Sequence, residues 1–126
     1  MYDQFLRTSR IHSHGNIAKV IDQLVMTDAQ ALDPLEPPPD GDIELAQVKI
    51  LYGGKLCLFG DIELRELEFS NRERIDFLVK TAMNAGKEGG GFVLMPASAP
   101  INVPLSQRTE ENYMQMLESA HKYGAY

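Results

Sequence analysis

Residues 10–16 contain the stretch that decides the fold, Arg10-Ile11-His12-Ser13-His14-Gly15-Asn16. An apolar residue leads into two histidines, and a Gly-Asn pair follows before a helical pattern begins at Ile17. This order predicts the end of a strand, a tight turn and the start of a helix that Asn16 caps. In α/β proteins the carboxyl ends of strands carry the functional residues, so we expect chemistry at these histidines.

The same strand-turn-helix unit recurs four times along the chain. The predicted strands cover residues 8–14, 30–33, 55–60 and 90–95. The predicted helices begin at Asn16, at Asp42, at Ser70 and near Gln107. Alternation of this kind predicts parallel strands joined by right-handed crossovers.

The lengths of the loops point to a particular α/β architecture. Long loops rich in special residues follow the predicted strands, whereas the connections from helix to strand are short. That asymmetry is typical of a (β/α)8 barrel with its site at the carboxyl ends of the strands. Four units make half of such a barrel, which has two unpaired sheet edges and an open apolar face. We therefore expect an α/β fold of four parallel βα units, a single domain over residues 1–126, completed as a TIM-type barrel by oligomerisation.

The composition favours a cytoplasmic protein that binds a small molecule. A net charge of −6 argues against nucleic acid and against an anionic membrane surface as partners. The single cysteine, Cys57, excludes an internal disulfide, so a reducing compartment is expected. The sequence contains no apolar run of the ~18 residues that a bilayer-spanning helix needs.

Two histidines and a glutamate form a candidate metal site. Side chains alternate along a strand, so His12 and His14 are expected to point the same way, about 6–7 Å apart at the backbone. Glu36 follows the neighbouring predicted strand, and the three side chains would form a His-His-Glu set of the kind that binds catalytic zinc. For the histidines, the alternative is that one bonds to a loop carbonyl and the other is exposed to solvent. For Glu36, the alternative is a solvated side chain without a ligand.

Two further residues on the same rim are candidate substrate-binding residues. Asp61 follows the third predicted strand, where it could order a histidine, bind a substrate donor or cap the following turn. Ser98 lies in the loop after the fourth predicted strand, and its alternative is a role within that loop. No residue is assigned a catalytic role.

Several stretches carry a family resemblance when their order and spacing are taken together. They are His12-Ser13-His14-Gly15, Ala31-Leu32-Asp33-Pro34-Leu35-Glu36-Pro37-Pro38, Leu56-Cys57-Leu58-Phe59-Gly60-Asp61-Ile62, Gly89-Gly90-Gly91-Phe92-Val93-Leu94-Met95-Pro96 and residues 118–126. This pattern resembles the C-terminal part of the uroporphyrinogen decarboxylase superfamily, which includes the corrinoid-linked methyltransferases. The resemblance covers nearly all of residues 9–126.

The resemblance implies that the chain corresponds to strands five to eight of the family's (β/α)8 barrel. In the methyltransferase branch, a zinc ion is held by a His-x-Cys pair, an acid on the next strand and a late cysteine. His12 matches the histidine, and Glu36 matches the acid. His14 stands where the first cysteine is expected, and Ser98 stands where the late one is expected.

The implied function is zinc-dependent methyl transfer to a thiol, with the corrinoid carried by a partner protein. One alternative is a tetrapyrrole carboxyl-lyase of the uroporphyrinogen decarboxylase type. That branch meets its substrate carboxylates with residues from the first half of the barrel, and Arg10 and Arg65 do not match those motifs. The other alternative is a non-catalytic half barrel that assembles with itself or with a separate first-half chain.

Overall fold

The computed structural model describes residues 8–126, in which strands and helices alternate. The strands of this part of the chain are Arg10–His12 (β1), Ala31–Leu35 (β2), Cys57–Ile62 (β3) and Phe92–Pro96 (β4). Its helices are Ile21–Val25 (α1), Leu45–Tyr52 (α2), Leu64–Phe69 (α3), Arg72–Gly86 (α4) and Gln107–Tyr123 (α5).

The strands form one sheet in chain order, β1-β2-β3-β4, and every pair is parallel. In register, His12 lies opposite Asp33, and Phe59 lies opposite Val93. The predicted α/β fold with parallel strands is therefore confirmed. Within residues 8–126, β1 and β4 are the edges of the sheet.

One face of the sheet packs against the helices. Leu32 of β2 and Leu58 of β3 belong to a buried cluster with Ile21 of α1, Val48 of α2 and Ala82 of α4. A second buried cluster joins the end of β3 to helices α3, α4 and α5 through Ile62, Leu67, Ile75, Val79 and Met116. Burial of these apolar side chains supplies the main stabilisation of the fold.

The other face of the sheet carries the residues that alternate with the buried ones. Arg10 and Phe59 lie on it together, with the Arg10 guanidinium carbon 5.3 Å from the centre of the Phe59 ring. Cys57 and Phe59 are only half-buried, and Val93 is 39% exposed. This face is therefore more open than the face that the helices cover.

The second strand is longer than the sequence predicted, and its extension positions Glu36. β2 continues through Pro34 to Leu35, although proline lacks the backbone N–H that a central strand uses in its ladder. The pairing of β2 with β3 shifts register between Leu32 and Leu35, so the missing N–H of Pro34 falls in an irregular part of the ladder. Glu36 consequently follows the strand directly.

The helix boundaries also differ from the predicted ones, mostly at amino ends. α1 begins at Ile21 rather than just after Asn16, and α3 lies where a loop was expected. Asn71, not Ser70, caps α4, because its side chain accepts from the Arg74 N–H. α5 covers the predicted residues. Within the described residues, no helix has the length and apolar character needed to cross a membrane.

Candidate functional site: two carboxylate-paired histidines

The pairing of β1 with β2 positions both histidines. His12 lies opposite Asp33, and the Ser13 N–H continues the ladder by donating to the Asp33 carbonyl at 2.9 Å. His14 follows at the end of this short extension. The two imidazole rings lie with their centroids 4.7 Å apart and their planes at 84°. Both rings are therefore available to one bound group.

A buried carboxylate orients the first imidazole. His12 Nδ1 lies 2.9 Å from Asp33 Oδ2, and Asp33 is 2% exposed. An ionised carboxylate can only accept a hydrogen bond, so Nδ1 donates and Nε2 keeps its lone pair. Within residues 8–126, Nε2 of His12 has no hydrogen-bond partner. It is thus free to act as a metal ligand or a base.

A second carboxylate, that of Glu36, orients the imidazole of His14 by the same kind of hydrogen bond. His14 Nδ1 donates to Glu36 Oε1 at 2.9 Å, and the other oxygen of Glu36 accepts from the Gly15 N–H. Glu36 is 7% exposed. Because both of its oxygens accept hydrogen bonds, Glu36 orients His14 and is not free to serve as a third metal ligand.

The loop after β2 fixes Glu36 by folding back tightly on it. The Gly41 N–H donates to the Pro37 carbonyl at 3.0 Å. A Cβ atom on Gly41 would lie 2.1 Å from the Glu36 carbonyl oxygen, well inside van der Waals contact. Only glycine fits this close approach, and the stiff prolines around it limit the alternatives of the loop.

The charge around Asp33 is only partly compensated. Arg10 Nε lies 3.5 Å from Asp33 Oδ2, the oxygen that also accepts from His12. Asp33 Oδ1 is buried and has no hydrogen-bond partner within residues 8–126. A buried oxygen without a donor is costly. The site therefore has an unused acceptor next to the histidines.

These side chains line a cavity of about 490 Å³. Its other walls come from the end of β4, the loop that follows it and α5, namely Met95, Pro96, Ala97, Ser98, Ala99, Pro100 and Tyr113. Ser98 therefore shares the cavity with both histidines. The volume is within the usual range for small-molecule sites, about 300–1,000 Å³.

Asp61 lies elsewhere. It lines a different cavity together with Glu44 and Glu63, and it is not among the residues that surround the histidines. Burial raises the pKa of Asp61 to about 6. The role of ordering a histidine, which the sequence suggested for Asp61, is filled by Asp33 and Glu36.

The side chains of this site meet some of the requirements of a zinc site. Within residues 8–126, no three His, Cys, Asp or Glu side chains are grouped so as to hold a metal ion. Yet each histidine has the carboxylate partner that zinc-binding histidines usually have. Two rings on one tetrahedral zinc ion have centroids about 5 Å apart, close to the spacing of His12 and His14. The spacing of the two rings is thus compatible with one shared ion, and Glu36 could become a third ligand only by releasing His14.

Sequence reasoning missed three polar residues of this cavity: Arg10, Asp33 and Tyr113. Asp33 is an acid in a buried strand directly opposite His12, and that register was the signal that could have found it. Arg10 stands two residues before His12, so strand alternation places it on the same face. Tyr113 comes from α5, far along the chain, and no local pattern links it to the histidines.

Comparison with known proteins adds no relative: no family model matches this chain, and no curated protein matches it. The class that fold and site define is an α/β protein with a parallel four-stranded sheet. Two carboxylate-paired histidines lie at its strand ends. Its likeness to the uroporphyrinogen decarboxylase superfamily stays a prediction from the sequence motifs.

Proposed function

We propose that this chain binds a small thiol in the histidine cavity and prepares it to accept a methyl group, with a zinc ion held by His12 and His14. The observation that carries the proposal is the pair of carboxylate-bound imidazoles on one cavity wall. The methyl donor, a corrinoid carried by a partner protein, follows from the family resemblance. A reducing cytoplasm, where thiols stay reduced, is the matching compartment.

Each residue has a definite task in this proposal. Zinc, when bound, lowers the pKa of a thiol so that the nucleophilic thiolate is present near neutral pH. Asp33 and Glu36 accept from the two Nδ1–H groups and so favour the tautomer in which each Nε2 keeps its lone pair. Ser98 offers a hydroxyl to the polar end of the substrate, and Met95 offers an apolar contact on the same wall.

Zinc binding to histidine variants tests the proposal. The purified protein, incubated with zinc and desalted, should retain about one ion per chain by elemental analysis. His12→Ala and His14→Ala should each lose it. His121→Ala is the matched control, because this exposed histidine of α5 lies outside the cavity. A protein that stays metal-free, or whose His12→Ala variant retains zinc like the wild type, would overturn the proposal.

The tetrapyrrole carboxyl-lyase alternative has less support from the cavity. Among the described residues that line it, Arg10 is the only arginine, and it already pairs with Asp33. A substrate with several carboxylates needs more positive charge than this. Absence of binding to coproporphyrin, measured by fluorescence quenching, is the expected result.

A second candidate function, assembly into a closed barrel, is favoured by the open face of the sheet. Half-exposed Cys57, Phe59 and Val93 on that face, and the edges at β1 and β4, are the features that a partner would cover. The partner would be a second copy of this chain or a separate first-half barrel chain. Light scattering should then show a dimer or a larger assembly, and a stable monomer would contradict self-assembly.

A further inference from the structure

A second cavity, distinct from the histidine cavity, lies where the end of β3 meets α4 and the start of α2. Its volume is about 160 Å³. Four acidic side chains, two arginines and three apolar side chains make up most of its lining: Glu44, Asp61, Glu63, Glu66, Arg65, Arg74, Ile62, Leu78 and Ala82. Neither the histidine site nor the proposed methyl transfer uses these residues.

Glu63 is the residue of this cavity that indicates a bound ligand. It is 8% exposed and lines the cavity. Its Oε1 is buried and has no hydrogen-bond partner within residues 8–126. Natural proteins rarely leave a buried carboxylate oxygen without a donor, so a donor from a bound molecule is expected here.

The two arginines that line this cavity already pair with other carboxylates. Arg65 pairs with Asp40, and Arg74 donates to Glu66 at 3.1 Å. Within the described residues, the charges of Glu44, Asp61 and Glu63 therefore lack a dedicated cation. The pKa of Glu63 reflects this surplus of negative charge. Burial, together with the nearby charges of Glu36, Asp40 and Asp61, raises the pKa of Glu63 to about 7, although Arg65 acts to lower it.

We propose that this cavity binds the primary ammonium group of a small aliphatic amine. An ammonium group is compact, positively charged and rich in N–H donors, so it suits a cavity lined by Glu63 and Asp61. Leu78 and Ala82 provide an apolar wall for the alkyl chain. A bare metal ion fits less well, because no three such side chains within residues 8–126 are grouped to hold one.

Titration with n-propylamine, followed by two-dimensional NMR of the full chain, tests the proposal. We expect saturable shifts around Glu63 and Ala82, and at least about tenfold weaker binding of the neutral analogue 1-propanol. The ionised form of Glu63 is the one that binds a cation, so affinity should rise about tenfold from pH 6 to pH 8. These comparisons need no variant. Equal affinity for amine and alcohol would overturn the proposal.

Variants then assign the site. Glu63→Gln should weaken amine binding at least about tenfold, because the amide lacks the charge. Glu44→Gln, at an exposed residue of the same cavity, should weaken it about two- to threefold without risk to folding. Glu88→Gln, the same change at an exposed residue outside the cavity, should bind like the wild type. Unchanged binding by both cavity variants would place the amine elsewhere and refute the site.

Discussion

Replacing Glu36 by glutamine should weaken zinc binding through His14 without removing a proposed donor nitrogen. Glu36 accepts from His14 Nδ1 with one oxygen and from the Gly15 N–H with the other. Glutamine can keep the bond from Gly15, but its NH2 group then faces Nδ1 of His14. An amide NH2 donates, so the ring must move its hydrogen to Nε2, which then has no lone pair for a metal ion.

The size of the effect follows from the bond that is lost. A hydrogen bond to a charged group contributes about 1.5–3 kcal/mol to stability, and Glu36 is almost fully buried, so solvent screens it little. Converted at 1.4 kcal/mol per factor of ten, this corresponds to roughly 10- to 100-fold weaker zinc binding. Loss of the carboxylate partner of a metal-binding histidine has the same typical cost, about 10- to 100-fold.

Competition with a chromophoric zinc chelator measures this change directly. Asp33→Asn should behave similarly through His12, whereas Glu88→Gln, at an exposed residue, should match the wild type. Circular dichroism of each variant establishes that the fold is intact. A Glu36→Gln protein that is folded and binds zinc as tightly as the wild type would refute the idea that Glu36 sets the tautomer of His14.

Three further predictions concern stability. Leu58→Ala, in the fully buried centre of β3, should lower the free energy of unfolding by about 2–5 kcal/mol in urea titrations. Gly41→Ala should lower it by about 1–3 kcal/mol, because the added Cβ would meet the Glu36 carbonyl, and it should also weaken zinc binding. The native pKa of Glu63, about 7, lies above the usual value of 4.5, so stability should fall as pH rises through this window.

Each of these predictions has its own control. Ile50→Ala, at an exposed residue of α2, should lower the free energy of unfolding by less than about 0.5 kcal/mol. Equal losses in Ile50→Ala and Leu58→Ala would contradict the burial of Leu58. Gly54→Ala adds the same methyl group with no atom within 4 Å, and similar losses at Gly54 and Gly41 would refute the steric argument. Glu63→Gln should flatten the pH dependence, and an unchanged slope would show that another group is responsible.

The regular parts of the fold could be predicted because their patterns are local. α5 was predicted from near Gln107, because its apolar spacing is visible in the sequence. α3 was missed because six residues are too few for a clear helical period. The second strand was predicted to end at residue 33, yet a shift of register in its pairing with β3 lets β2 continue through Pro34.

The sequence predicted part of the candidate site, namely Ser98, Glu36 and the two histidines. Their alternation on one strand follows from sequence, whereas their partners depend on the register between β1 and β2. Asp33 and Glu36 reach different histidines because one lies in the strand and the other just beyond it. Asp61 also follows a strand, but it faces a separate cavity, and the sequence did not predict this difference.

The uniform direction of the strands limits how two copies could complete a barrel. A second copy would extend the sheet with parallel strands by placing its β1 beside β4 of the first, and closure would repeat this contact on the opposite side. The two copies are then related by a twofold rotation about the barrel axis. Under that symmetry both histidine pairs open at the same mouth, and one substrate would be enclosed by residues of both copies.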